Sequence, residues 1–366
     1  MSNQTIHIGI IGTGFGRRVM LPAFAVCEGA EVVAVCSARR ENAEAAAREY
    51  GISSIYTDYE AMMDHEDLDL VAITTPPHLH WPMTKSALEH KLHVLCEKPT
   101  ALNLEEARQM YNRAQQAEVV HLIDHELRFN PTLLNLKQLI DSGYLGAPGN
   151  VSFSIRGHYP MVMDPKRPWD WWFDAARGGG LLGAAGSHYI DLLRWLLGEF
   201  RRVSGCLHTF VKERPLADSD KMKPVTSDDY CTFMAELECG AIGTITLDAT
   251  VRIRPQDGLW LVAFHGEAGS LLWDGQARLW GLRDDQETEV EELTQPDPAT
   301  EMPGLSEGVF PPSFVHFSRR IVEALQNGKK TVAGAATFYD GMRVQAVLDA
   351  VRRSHEQGGW VKCSVP

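Results

Sequence analysis

The sequence predicts an α/β fold in two parts: a parallel sheet flanked by helices, then a second α/β region built on antiparallel strands. Three observations carry that reading. Over the first 125 residues, short apolar runs alternate with helical patterns. A glycine-rich turn follows the first of those runs. After about residue 128, strand follows strand with only short turns between them.

In the first part, Ile6–Ile11, Glu31–Cys36, Asp69–Thr74 and Leu92–Cys96 read as buried strands. The segments Arg18–Cys27, Glu41–Tyr50, Trp81–His90 and Leu104–Ala117 read as helices. In the last of these, Leu104, Ala107, Tyr111 and Ala114 recur on one face. In the second part the strands are Val151–His158, Val203–Val211, Tyr230–Leu237, Ala241–Val251, Leu259–His265 and Ala277–Leu282. Turns such as Cys239-Gly240 and Glu267–Gly269 join them. Helices are expected at Ser187–Leu197, Ser313–Asn327 and Ala336–Glu356, with Phe314, Phe317, Ile321 and Leu325 on the buried face of the middle one. Lys212–Asp228 and the acidic Asp284–Gly308 read as exposed loops. The change of rhythm sets domains at 1–127 and 128–366.

Composition narrows the function. A net charge of −13 over 366 residues disfavours nucleic acid and anionic membranes as partners, since both want a basic face. A small-molecule ligand is compatible with it. The seven cysteines include no C-x-x-C pair, and several sit in apolar strands, so they read as reduced core residues of a cytoplasmic protein. No apolar run approaches the roughly 18 residues that a membrane helix needs. No bound metal is expected. The 14 histidines form no ligand set on one element, although His78 and His80 lie close in a loop.

The chemistry begins at Gly12-Thr13-Gly14-Phe15-Gly16, between the first strand and the first helix. Glycine there permits a tight turn and lets backbone N–H groups approach a pyrophosphate, aided by the helix N-terminus. The usual third small residue falls at Arg17, with Gly16 one position early, so Arg17 itself is a candidate for a phosphate. About 20 residues on, where an NAD enzyme carries an acid for the ribose 2′-hydroxyl, stand Ser37, Arg39 and Arg40. A carboxylate would repel a 2′-phosphate, whereas a hydroxyl and a guanidinium fork would hold it. One charged hydrogen bond, worth about 1.5–3 kcal/mol, supplies a roughly 10- to 150-fold preference for NADP(H).

Two loops follow at carboxyl ends of parallel strands: Thr75-Pro76-Pro77 with His80, and Glu97-Lys98-Pro99. With the glycine turn, they closely resemble the Gfo/Idh/MocA oxidoreductase family, which includes glucose–fructose oxidoreductase and inositol dehydrogenases. Arg128-Phe129 before Pro131, Gly178-Gly179-Gly180, Gly186-Ser187-His188-Tyr189-Ile190-Asp191 and Asp340–Val344 extend the resemblance over nearly the whole chain. The resemblance implies a Rossmann NAD(P)-binding domain, and a second domain whose large open antiparallel sheet covers the nicotinamide and serves homodimer or homotetramer contacts. It implies that Lys98 is catalytic, with a cis bond into Pro99, and that Pro76 and His80 lie beside the cofactor. Residue chemistry agrees on the lysine. An amine next to an oxidised nicotinamide in a partly dry cleft is biased towards its neutral form and can take an alcohol proton as hydride leaves.

Many sugar dehydrogenases of the family carry Asp four residues before the histidine. Here that position is Ala184. His188 then either orients the substrate oxygen or starts a helix with Asp191 as its partner. A replacement carboxylate is sought among Asp164, Asp170 and Asp174. Trp169-Asp170-Trp171-Trp172-Phe173-Asp174 mixes ring faces with carboxylates, as a polyol pocket would. Trp169, Trp171, Asp174, Tyr159 and Arg128 are the substrate candidates, packing roles remaining open for each. The expected activity is hydride transfer between a nicotinamide and a secondary alcohol or ketone of a sugar, cyclitol or related polyol. A non-sugar carbonyl reductase and a non-catalytic NADP-binding regulator are the alternatives.

Overall fold

The computed structural model describes every residue except 1–3, 160, 161, 163, 218, 220, 252–259, 284–289, 303, 306, 307, 365 and 366. Leu259 at the start of one expected strand, and parts of the two expected loops at 212–228 and 284–308, lie outside the described residues. The chain forms two compact units, one of residues 1–130 with 297–342, the other of 131–296 with 343–366.

The first unit holds six strands: β1 Ile6–Ile11, β2 Ala30–Cys36, β3 Ser54–Tyr56, β4 Leu70–Ile73, β5 His93–Cys96 and β6 His121–Ile123. Their order is β3-β2-β1-β4-β5-β6, and every pairing is parallel. The order reverses direction at β1, so β1 and β4 flank the switch point where such sheets place ligands. All four residues of β4 are buried, as a strand covered on both faces requires. Helices Arg40–Tyr50, His80–Glu89 and Leu104–Ala117 fall within one residue of the periodicity at each end.

Helix Phe310–Gln326 also belongs to this unit. Prolines in its first turn preset the backbone and give up N–H groups that would have no partner there. Phe314 meets Phe24 edge-on at 5.6 Å, and Phe317 stacks on Phe129 at 4.6 Å. Phe314, Phe317 and Ile321 are fully buried, as their spacing requires.

The second unit contains β7 Ser152–His158, β8 Phe200–His208, β9 Glu213–Pro215, β10 Met222–Pro224, β11 Tyr230–Leu237, β12 Ile242–Asp248, β13 Leu261–His265, β14 Gly269–Trp273, β15 Leu279–Arg283, β16 Glu291–Glu292 and β17 Val361–Lys362. β9 and β10 form a separate hairpin inside the expected Lys212–Asp228 loop. The other nine make one sheet in the order β16-β15-β14-β13-β7-β12-β11-β8-β17. It is mixed rather than antiparallel throughout: β7 and β12 run parallel, from Ser152↔Ile242 to His158↔Asp248. A parallel pair needs a crossover, and the segment between these strands supplies one, including helix Ser187–Leu197.

Replacing Phe317 by alanine should cost about 3–5 kcal/mol, because Phe129 loses its stacked partner, Phe314 loses an edge contact at 6.0 Å, and a cavity is left in the core. Urea unfolding should show a lower midpoint with an unchanged slope; a loss below about 1 kcal/mol would mean that this face is not core.

Candidate functional site

The glycine turn is built against the end of β4. Gly12 sits at φ +101°, and a Cβ there would lie 2.7 Å from the Thr74 carbonyl oxygen. Thr74 Oγ1 donates to Gly12 O at 2.8 Å and to Ile11 O at 3.1 Å, which locks the turn. Gly16 fills the close-packing role, since a Cβ there would lie 2.8 Å from Thr74 Oγ1 and 3.0 Å from Ile10. Residues Gly16–Met20 form a π-helical turn before helix Leu21–Ala25. That wider turn absorbs the one-residue offset of the third glycine. Gly14 differs: nothing lies within 4 Å of its absent side chain. Packing does not demand glycine there, but close approach of a pyrophosphate to the backbone would, so the turn fits a dinucleotide.

The turn is tied to the end of β2 by Thr13 Oγ1, which donates to Ser37 Oγ at 3.2 Å. Ser37 is buried, whereas Arg39 and Arg40 are exposed. Arg40 pairs with Glu44 at 2.9 Å, one turn along its helix. Arg17 pairs with Glu49 at 2.6 Å, both half-exposed. Arg39 is the residue preceding helix Arg40–Tyr50.

At the next strand ends, His80 is fully buried, with Nε2 2.8 Å from Thr75 O and Nδ1 2.9 Å from Pro99 O. It bridges the Thr75-Pro76 loop and the Lys98-Pro99 loop, whose peptide bond is cis. Burial pushes its pKa down to about 4, against the pull of the Thr75, Pro99 and Thr100 carbonyls. The ring is therefore neutral at ordinary pH and has one N–H for two carbonyl neighbours. Glu97 is buried and its carboxylate accepts the Lys98 N–H at 3.2 Å, while Lys98 itself is half-buried. Beside Glu97, one residue past the end of β6, stands Asp124, fully buried and not anticipated from sequence. An acid straight after an apolar strand, in step with Glu97 on the neighbouring strand, was its available signal.

In the same unit, Arg128 is buried and its guanidinium donates to Asp340 at 3.1 Å. In the second unit, His188 is buried near the start of helix Ser187–Leu197. Asp191 lies 4.0 Å from Arg194. Half-buried Tyr159 and buried Tyr189 share a hydrogen bond of 3.0 Å between hydroxyls. Burial lifts Tyr189 to about 12, so both phenols stay protonated. Trp169 donates its indole N–H to Pro224 O at 3.0 Å and carries Lys223 Nζ 3.1 Å above its ring, which fastens the β9–β10 hairpin. Trp171 is half-buried. Asp164, Asp170 and Asp174 each accept a backbone N–H two residues on, from Lys166, Trp172 and Ala176. Asp228, read from sequence as loop, accepts the Leu182 N–H at 2.7 Å, and burial lifts its pKa to about 6.

Residues 6–125 match the oxidoreductase family with an NAD-binding Rossmann fold, and residues 133–272 match the GFO/IDH/MocA C-terminal domain. Levoglucosan dehydrogenase of Pseudarthrobacter phenanthrenivorans is 29% identical over 98% of both chains. Glucose-fructose oxidoreductase domain-containing protein 1 of Mus musculus is 31% identical over 98% of this chain and 92% of its own. A solved levoglucosan dehydrogenase in complex with NADH and levoglucosan superposes with a TM-score of 0.86 at 27% identity, covering 99% of this chain and all of that one.

His80→Gln should destabilise the protein at pH 7 by about 1–3 kcal/mol through the lost N–H bond to one carbonyl and the lost ring packing between the two loops. Between pH 6.5 and about 4, the unfolded wild type binds a proton that the folded imidazole refuses, so this histidine's contribution falls as the medium is acidified. The stability gap between wild type and variant should therefore narrow from pH 7 to pH 4.5 in urea titrations. A constant or widening gap would contradict a neutral, buried His80.

Proposed function

The chain belongs to the Gfo/Idh/MocA oxidoreductase family, and from that premise we propose that it is a dehydrogenase or reductase of a sugar or related polyol that prefers NADP(H). It moves hydride between nicotinamide C4 and a secondary alcohol or ketone carbon. The observation that carries this reading is the Glu97-Lys98-Pro99 loop at the end of β5, with Lys98 half-buried between two buried neighbours.

Bound nicotinamide accepts or supplies the hydride. Gly12 and Gly14 present backbone amides to the pyrophosphate, and Thr13, Phe15 and Gly16 shape that turn. Ser37, with Arg39 or Arg40, takes the adenosine ribose and its 2′-phosphate. Arg40 would exchange Glu44 for the phosphate at little cost, because exposed ion pairs contribute about 0–1 kcal/mol. Thr75, Pro76 and His80 fix the wall of the cofactor site. Lys98 Nζ takes the hydroxyl proton during oxidation and returns it during reduction. His188 holds the reacting oxygen. Tyr159 and Trp171 contribute the sugar contacts, while Arg128, Trp169 and Asp174 act by holding neighbouring segments. We assign the coenzyme to residues 1–127, and the substrate face and homodimer or homotetramer contacts to 128–366. A preference for NAD(H) is the second reading, favoured by the NADH bound in the levoglucosan dehydrogenase complex.

Lys98→Ala should slow hydride transfer by about 100-fold or more while leaving coenzyme affinity within about threefold. Deuterium transfer from labelled NADPH to a panel of keto-sugars, with NADPH fluorescence for affinity, reads both quantities. A fully active variant removes the proton role. Ser37→Asp should lower the NADPH-to-NADH affinity ratio by about tenfold or more; an unchanged ratio rejects the 2′-phosphate pocket.

A further inference from the structure

β5 and β6 are parallel neighbours, with Cys96 opposite Ile123. The Asp124 N–H donates to Cys96 O at 2.8 Å, so the pairing continues one residue further and sets Glu97 beside Asp124. Glu97 is 6% exposed and Asp124 is 0% exposed. Neither oxygen of Asp124 meets an N–H or hydroxyl donor among the described residues. Its neighbour across the paired strand ends is the Glu97 carboxyl, whose Oε1 is likewise buried with no donor among the described residues. Two buried carboxyls side by side repel when both are charged, and one proton between them turns repulsion into a bond.

The other groups around the pair say where that proton sits. Lys98 lowers the cost of charge on both acids, as the second influence at Glu97 and the last at Asp124. Fully buried Glu126 lies on the Asp124 side and raises it. Burial, then Glu126, then Glu97 push Asp124 well above the usual carboxylate range. Burial raises Glu97 as well, but Lys98 and the bond from Asp124 pull it back. Cys96, whose thiol burial keeps protonated, lies close to both acids. His80 is neutral between its two loops, Arg128 is engaged by Asp340, and His125 beside Asp124 is buried. The proton therefore rests on Asp124, which donates to a charged Glu97.

We propose that Glu97 and Asp124 form one proton-sharing unit behind Lys98, in which Asp124 donates to Glu97 and so keeps a carboxylate in place next to the lysine. Both are positioning residues, acting through the lysine. The assignment rests on Lys98 as the proton-handling group, but its two consequences can be measured without substrate.

Infrared spectra of the full chain at pH 7 test the first. Wild type should show a protonated-carboxyl band that disappears in Asp124→Asn; superimposable spectra would overturn the proposal. The pH dependence of Lys98 acetylation by acetic anhydride, read by peptide mass spectrometry, tests the second. Glu97→Gln should lower the midpoint by about one unit or more, since the ammonium loses its neighbouring negative charge. Asp124→Ala should do the same, because an unsupported Glu97 takes up the proton itself. Asp124→Asn, which still donates, should leave the midpoint in place. A midpoint that ignores Glu97→Gln, or that moves in Asp124→Asn, overturns the linkage. Should Asp124→Ala not fold, the other two variants make the same comparison. Neither measurement depends on turnover, so failure of Lys98→Ala to slow hydride transfer would be seen separately.

Discussion

One buried imidazole holds the candidate site of the first unit together. Past the ends of β4 and β5 the ladder of main-chain hydrogen bonds stops, and the Thr75 and Pro99 carbonyls are left without strand partners. His80 lies against both, at 2.8 and 2.9 Å. Being neutral, it has one hydrogen for two acceptors, so the bridge is under-satisfied by one donor. That is tolerable only because the acceptors are carbonyls, which accept unmet valences more readily than buried N–H groups do. Lys98 is thereby fixed from behind, through Pro99, and the lysine itself need not be part of the restraint.

The same edge concentrates charge. Glu97, Asp124 and Glu126 are gathered just past the paired ends of β5 and β6 and are all essentially buried, an arrangement that three independent carboxylates would not survive. It becomes stable when one proton is retained and one lysine stands alongside.

Much of this was legible in the sequence, for identifiable reasons. Strands such as Ile6–Ile11 and helices such as Leu104–Ala117 have enough residues for a period to show. β3 and β6, at three residues each, do not, and helices Tyr59–His65 and Pro131–Asp141 went unread. The glycine turn, the Glu-Lys-Pro loop and Ser37 were readable because each is a local pattern. The carboxyl pair was not, because Glu97 and Asp124 meet only through strand pairing across 27 positions. Likewise nothing in the linear rhythm indicates that residues 297–342 return to the first unit.

The residue missing at Ala184 shows the same limit from the other direction. Sequence distance directed the search for a carboxylate to Asp164, Asp170 and Asp174, all of which close local turns. A carboxylate does reach this helical run, but from another segment: Asp228 accepts the Leu182 N–H. The triple glycine makes room for it, since a Cβ on Gly180, already at φ +112°, would lie 2.3 Å from Asp228 Oδ1. Two forces oppose each other there. Burial favours the acid form, while the Leu182 N–H, the Arg352 charge and the backbone N–H of Asp228 itself favour the anion. The balance near 6 keeps Asp228 mostly charged at neutral pH, yet closer to protonation than an exposed aspartate. Gly180 is therefore the imprint of a buried carboxylate, while Gly179 answers to the Trp171 and Trp172 carbonyls, 2.6 and 2.3 Å from where its Cβ would lie.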